Sequence, residues 1–481
     1  MGNKFLRLFL IVISSFAASV GLASCSVIIP GNTLTTSDSS TGPHSHNYNK
    51  QVIKDAYKVS NADCEHAATY YYSCSCGDIG IETFEFGSPL GHDWHYEYLQ
   101  TSEGEYYQSG TCSRCDAKEK RTIQSVNNLN FEVINEEEKT CQVTGFKKFY
   151  YDERDNNIFI PKMWNDYKVT LIGEFAFYGC YSLRSIVIPD SVTSIGINAF
   201  VGCTFLKSIV IPDSVTSIGD YAFNSCDSLS SIIVKEGNTV YDSRKDCNAI
   251  IETSTNTLIA GCATTIIPDN VASICEYAFY RCTSLRSILI SDSVTSIGDY
   301  AFYGCTSLRS ILIPNSVTSI GGGAFSDCTS LSSVTIGNGV TSIGELAFKG
   351  CLCLSSIVIS DSVTSIGEGA FVGCTSLRSI LIPNSVTSIG GGAFVDCTSL
   401  SSVTIGNGVT SIGGGAFNNC YSLNSIVIPD SVTTIDSSAF WNCNSLSDVY
   451  YIGSEEQWNA IYIGPDNDEL KSATIHYNYM G

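Results

Sequence analysis

The chain has 481 residues, of which 44% are hydrophobic and only 15% charged, and its formal net charge is −21. That length and apolar content suit more than one folding unit and a large, regular core. The acidic balance argues against phosphate-backbone binding, which needs clustered Lys and Arg, so no nucleic-acid partner is expected.

In chain order, the first element is an address. Lys4 and Arg7 precede the apolar run Leu8 to Val20, which is too short for an ordinary membrane span. Residues 1–24 read as a signal for the general export pathway. They end in Leu22-Ala23-Ser24-Cys25, which resembles a bacterial lipobox. The resemblance implies acylation of Cys25 and attachment to a membrane through buried methylenes, about 0.8 kcal/mol each. An ordinary secretory peptide with an incidental Cys is the alternative. Residues 25–50, with their Ser, Thr, Gly and Pro, read as a flexible tether.

Residues 51–123 read as a small Cys/His-rich β module. Two stretches echo one another: Tyr70 to Cys76 follows His46, and Tyr106 to Cys115 follows His92. Thiolate and imidazole together suit tetrahedral zinc. The candidate ligands are Cys64, Cys74, Cys76, His92, Cys112 and Cys115, the last two at the usual Cys-x-x-Cys spacing. Structural zinc, disulfides and free thiols all remain open for this unit, whose small core favours a staple. No other cofactor is required. Residues 124–168 read as a lead-in and N-terminal cap.

From residue 169 to 452 the chain repeats itself. Ala-Phe-x-x-Cys recurs eleven times, and the Cys steps by 23 residues from Cys282 to Cys443. A fixed period in this range predicts a solenoid, because one coil cannot bury its apolar side alone and stacked coils can. In Leu308 to Pro314, Leu308, Ile311 and Ile313 fit the inward positions of a short strand, with Ser310 and Leu312 outward. Val317 and Ile320 fit a second short inward-facing piece, and Ala324-Phe325 a short helical turn that fills the interior. The repeated Cys reads as a small buried hydrophobe in a reduced ladder.

Two departures interrupt the array. An insertion near residues 238–262 carries β-prone runs at Ala249 to Glu252 and Thr257 to Ala260 around a Ser-Thr-Asn turn, a hairpin signal. Cys247 and Cys262 fall roughly opposite in that register, as a disulfide or as two buried thiols. The stretch Leu308 to Phe325 is also repeated letter for letter at Leu377 to Phe394. Copying whole coils favours reach or multivalency over a single catalytic pocket. Residues 453–481 break the period and read as a C-terminal cap.

The pattern Leu-x-x-Ile-x-Ile-Pro-x-x-Val-x-x-Ile-Gly-x-x-Ala-Phe-x-x-Cys resembles the BspA-like class of leucine-rich repeats. The resemblance implies a right-handed leucine-rich-repeat solenoid, mainly β, with a parallel sheet on its concave face. It also implies a bacterial cell-surface location and a role in adhesion or protein contact.

From Tyr96 to Ile475 there is no His, so the solenoid lacks a His-based acid, base or triad. No phosphate loop, nucleophile elbow or metalloprotease helix is present. A non-catalytic protein is expected. A zinc-dependent surface enzyme would need an open coordination site and a base, and nothing marks either. The candidate binding face is the outward row of Leu289, Leu312 and Leu381 beside Arg286, Arg309 and Arg378, directed at a host or bacterial surface protein or glycan. A passive spacer or antigen without a dedicated ligand is the alternative, since β-branched residues also stabilise stacked strands wherever they point.

Overall fold

The structure, a computed structural model, describes residues 129–146 and 157–480 and, before them, strand segments between 56 and 122. The export signal, Cys25 and the tether lie outside the described residues. The chain forms two units, Met1–Ile123 and Gln124–Gly481.

The first unit contains two three-stranded antiparallel sheets. One is Lys58–Ser60, Ala68–Ser73 and Ile79–Phe86; the other is Trp94–Gln100, Tyr106–Cys112 and Lys118–Thr122.

The second unit opens on an antiparallel pair, Leu129–Asn135 with Thr140–Phe146. Thr140–Phe146 then pairs in parallel with Tyr167–Ile172, which converts an antiparallel edge into the parallel stack that follows. Each regular coil contributes two strands to two separate columns. The longer strand, such as Ser310–Ile313, pairs with its copy one coil on, Ser333–Ile336, residue type against like residue type. The shorter strand, such as Ser319–Ile320, pairs with Ser342–Ile343. From the insertion onward the short column belongs to one twelve-stranded sheet, from Tyr241–Asp242 to Tyr462–Ile463, and before it Ser194–Ile195 and Ser217–Ile218 lie in a separate sheet.

The alternation seen in the sequence is realised. Ile311 and Ile313 are buried and Leu312 is exposed, and the next coil repeats this with Val334 and Ile336 buried and Thr335 exposed. Leu308, Val317, Ala324, Phe325 and Cys328 are fully enclosed. The Phe rings stack from coil to coil with centroids 4.8–5.5 Å apart in an unbroken run from Phe279 to Phe440. At this spacing the stack is offset rather than a tight sandwich, which the ring quadrupoles prefer.

The expected helical turn at Ala324-Phe325 is present as a run of hydrogen-bonded turns rather than as helix. Ala324 N donates to Gly321 O within the coil, whereas Phe325 N donates to Ala347 O of the next coil at 2.8 Å. Alternate amides thus face the neighbour, and a helix would turn all of them inward. The Cys completes the rung. Cys351 Sγ donates to Phe325 O of the preceding coil at 3.3 Å, and Cys328 Sγ to Phe302 O at 3.1 Å. A small apolar side chain with a weak donor is what this slot needs. Hydroxyls reinforce the outer turns in the same way: Thr318 Oγ1 donates to Thr295 O and Ser385 Oγ to Val363 O.

Coils approach so closely after the short strand that a side chain has no room. A Cβ on Gly367 would lie 2.6 Å from Glu345 N of the preceding coil. This is why Ser-Ile-Gly recurs.

The insertion interrupts both columns and the Phe stack. Ala249–Glu252 and Thr257–Gly261 form an antiparallel pair, and Thr257-Leu258 then joins the short column against Ser273-Ile274. Gly261 takes the place that Phe holds in a regular coil. Its N–H donates to Ala278 O, the same rung, and a Cβ there would lie 2.1 Å from the Phe279 ring. The buried residues accordingly form two clusters that meet at the insertion.

The far end is closed by side chains. Amides that would face a further coil find Pro465 O for Ser438, Asn467 Oδ1 for Phe440 and Glu469 Oε1 for Asn442. Asn467 is fully buried and its amide donates back to Asp436 O and Gly464 O. A short helix, Glu455–Asn459, begins with a Ser454–Gln457 capping box and sets Trp458 against Tyr451.

Removing one stacked ring should cost far more than removing one thiol. Phe371→Ala is expected to destabilise the solenoid by about 3–5 kcal/mol. Cys374→Ala should cost about 1–2 kcal/mol through a small void and one lost weak donor. Urea unfolding of the two variants beside the parent checks the order.

Candidate interaction face

The long-strand column presents side chains outward at every second position. One resulting row is aliphatic and exposed: Leu289 is 74% accessible, Leu312 52%, Val358 73% and Leu381 63%. Val210, Ile233 and Ile266 extend it toward the N-terminus, and Thr335 and Thr404 interrupt it. The coil carrying Arg286 and Leu289 follows the insertion, and its long segment is not a paired strand. A flanking row is nearly all Ser, from Ser287 to Ser379.

Arg286, Arg309 and Arg378 are all exposed and share one position of the coil. They do not form one cluster. Arg309 N donates to Arg286 O, so these two occupy adjacent coils, but Ser332 and Ser355 hold the row before Arg378 is reached. At about 4.8 Å per rung, Arg378 stands roughly 14 Å from Arg309. The same row also contains Arg184 and Lys207, joined by a Lys207 N to Arg184 O hydrogen bond. The sequence signal for Arg184 is the match of Ser-Leu-Arg184-Ser-Ile to Ser-Leu-Arg309-Ser-Ile, one coil position repeated on the far side of the insertion. The face therefore carries five cations in one row on an acidic chain.

The thiols are the other candidate chemistry. Burial pushes Cys374 and Cys443 up to about 12, from an ordinary value of 9.0, and holds Cys305, Cys351 and Cys397 well above it. A thiol that stays protonated is a poor nucleophile. No bond joins Cys247 and Cys262. Cys247 Sγ turns to Ala249 O and packs with the C-terminal cluster, while Cys262 Sγ turns to Asn248 O and packs with the N-terminal one. The hairpin register pairs Ala249 with Gly261, which leaves the two cysteines beyond the pairing and on different sides of it.

In the first unit, Cys112 ends its strand and its N–H donates to Ala117 O, and Cys115 is half-buried. Cys64, Cys74, Cys76 and His92 lie outside the described residues. Among the described residues no group of three or more His, Cys, Asp or Glu is arranged to hold a metal ion. No helix among them is long and apolar enough to cross a membrane.

The family model for the BspA type leucine rich repeat region matches residues 144–259, 252–378 and 364–461, in six copies. The chain belongs to this family of leucine-rich repeat proteins. Among solved structures it is similar to a leucine rich cell surface protein from Faecalibacterium prausnitzii A2-165, with 32% identity over 70% of this chain and 97% of that one and a TM-score of 0.45. It is also similar to a leucine-rich repeat protein from Bacteroides ovatus, with 26% identity over 73% of this chain and 99% of that one and a TM-score of 0.40. A third such protein, from Eubacterium ventriosum, shares 24% identity over 62% of this chain and 93% of that one, with a TM-score of 0.44. No curated protein matches.

Brief alkylation of the native chain followed by peptide mapping should label the exposed Cys353 and leave Cys374, Cys397 and Cys443 untouched until denaturant is added. Because folded thiols such as Cys374 hold their protons to about 12, the stability they contribute is complete below pH 9.0 and is lost as pH rises from there toward 12. Thermal unfolding followed from pH 8 upward reads this loss.

Proposed function

We propose that this chain is an exported, lipid-anchored protein of a bacterial surface, non-catalytic, whose long-strand face binds a partner protein or glycan in adhesion. The observation that carries this is the exposed aliphatic row running beside a row of five cations on one face. An exposed apolar row rimmed by polar residues marks a contact site. On a chain with a net charge of −21, a local basic row steers toward acidic partners and sets their register more than it adds affinity. Membership of the BspA-type family supports an interaction role, and the 32% identical Faecalibacterium protein is described as a cell surface protein. The non-catalytic part rests on chemistry. The single His of the solenoid unit, His476, is held by Asp448 at 2.7 Å and stacked on Tyr450 in the cap, and the buried thiols are protonated.

Two measurements test this. Detergent-phase partitioning should place the parent chain with membranes and shift it to the aqueous phase in Cys25→Ser, as acyl anchoring requires. Surface-immobilised full chain should bind an extracellular-matrix protein or mucin saturably. Charge reversal at Arg286, Arg309 and Arg378 together should weaken that binding about tenfold or more. Saturable binding that ignores these reversals sinks the face as drawn. No binding across the set moves the passive-spacer reading ahead.

A further inference from the structure

The insertion leaves a seam that no other coil has. Regular coils pass amide hydrogens to the next coil at fixed positions, as Tyr300 N does to Gly322 O and Phe302 N to Ala324 O. At the seam, Ser225 N reaches directly across to Tyr280 O, so the coil of Ala222 and the coil of Ala278 are neighbours there. Between these points Ile259 to Gly261 enters as a wedge, and Gly261 takes Ala278 O for itself. The equivalent amides of Tyr221 and Phe223, and the Glu276 carbonyl, have no backbone or side-chain partner among the described residues. At the C-terminal end of the solenoid the same positions, Ser438 and Phe440, are satisfied by Pro465 O and Asn467 Oδ1.

The seam opens into a cleft of about 170 Å³. One water needs only about 10–15 Å³ of such space. Its lining contains Asp220, Glu252 and Glu276 with Tyr221, Tyr241 and Tyr277, and no Lys, Arg or His. Asp220 and Glu276 are exposed at the rim, Glu252 is half-buried, and Tyr241 is buried with its hydroxyl accepting from Ile218 N. Glu252 has one oxygen on Thr255 Oγ1. The nearby Arg244 is committed to Asp242 and Asn256 and brings no charge to the cleft. Tyr221 and Tyr277 meet edge to face at 4.5 Å, and Tyr277 stacks on Tyr300. Burial beside Tyr221 keeps the Tyr277 phenol protonated up to about 12, so it remains a donor and a neutral ring.

We infer that this cleft binds a single basic residue, Arg or Lys, of a partner polypeptide. Three carboxylates without a counter-charge favour a cation, and the tyrosine rings add attraction to an ammonium or guanidinium. The unpaired amides of Tyr221 and Phe223 supply donors for the residue's own backbone carbonyl, as in strand addition at an open edge. The Glu276 carbonyl supplies an acceptor. The site lies on the turn and short-strand side, so it is separate from the long-strand rows and does not depend on them.

The probe is Nα-acetyl-arginine amide, titrated calorimetrically into the full chain, with Nα-acetyl-citrulline amide as its neutral isostere. Saturable one-to-one binding of the arginine probe is expected, at least about tenfold tighter than the citrulline probe. Glu252→Gln and Glu276→Gln preserve shape and lie outside the core; each should weaken binding about tenfold with an unchanged melting temperature. No saturation overturns the inference. So does equal binding of citrulline, or full affinity in both Gln variants. A single blocked residue does not report on the aliphatic row, so failure here and failure of the adhesion face are distinguishable.

Discussion

The constraint behind the whole solenoid is the in-register hydrogen bond between coils. Once Phe302 N is bonded to Ala324 O and Ile311 lies opposite Val334, every position faces its own counterpart 23 residues away. A residue must then be compatible with a copy of itself at about 4.8 Å. Phe meets this by offset stacking, Ile by interlocking on a pleated surface, and Gly by having no Cβ where backbones nearly touch. Cys meets it by being small and by passing its S–H to the preceding Phe carbonyl. Repetition in the sequence follows from this geometry.

The same constraint explains why the insertion has consequences beyond its length. A stack can tolerate an extra segment only if that segment supplies the missing partners. The hairpin does so on the short-strand side, through Thr257-Leu258, and at Gly261, which keeps the rung by giving up the ring. It does not do so for Tyr221 and Phe223. The core is divided, the Phe stack is broken between Phe223 and Phe279, and polar backbone opens to a cleft. The C-terminal cap meets the equivalent amides, those of Ser438 and Phe440, with Pro465 O and Asn467 and leaves no such gap.

Outward positions are released from self-compatibility with the core, and there the chain varies. Leu, Val and Thr alternate in one row, and Arg, Lys, Ser and Asn in another. Variation on a rigid, repeated frame is how an extended face acquires specificity without changing fold.

Much of this was legible in the sequence. The period of 23 fixed the stacking partner of each residue, and the alternation in Leu308 to Ile313 told inside from outside. Both signals are local or self-referential, and a repeat states them many times. Tertiary structure alone decided what depends on unlike segments meeting. Ala-Phe-x-x-Cys is a run of turns because alternate amides are claimed by the next coil, which no single coil reveals. Cys247 and Cys262 are apart because the hairpin sends them into different clusters. Asn467 is a buried plug, and Asp220, Glu252 and Glu276 share a cleft, through contacts between segments that have no common period. Periodicity encodes how a coil meets its copy; where the copy is missing, only packing in three dimensions determines what fills the space.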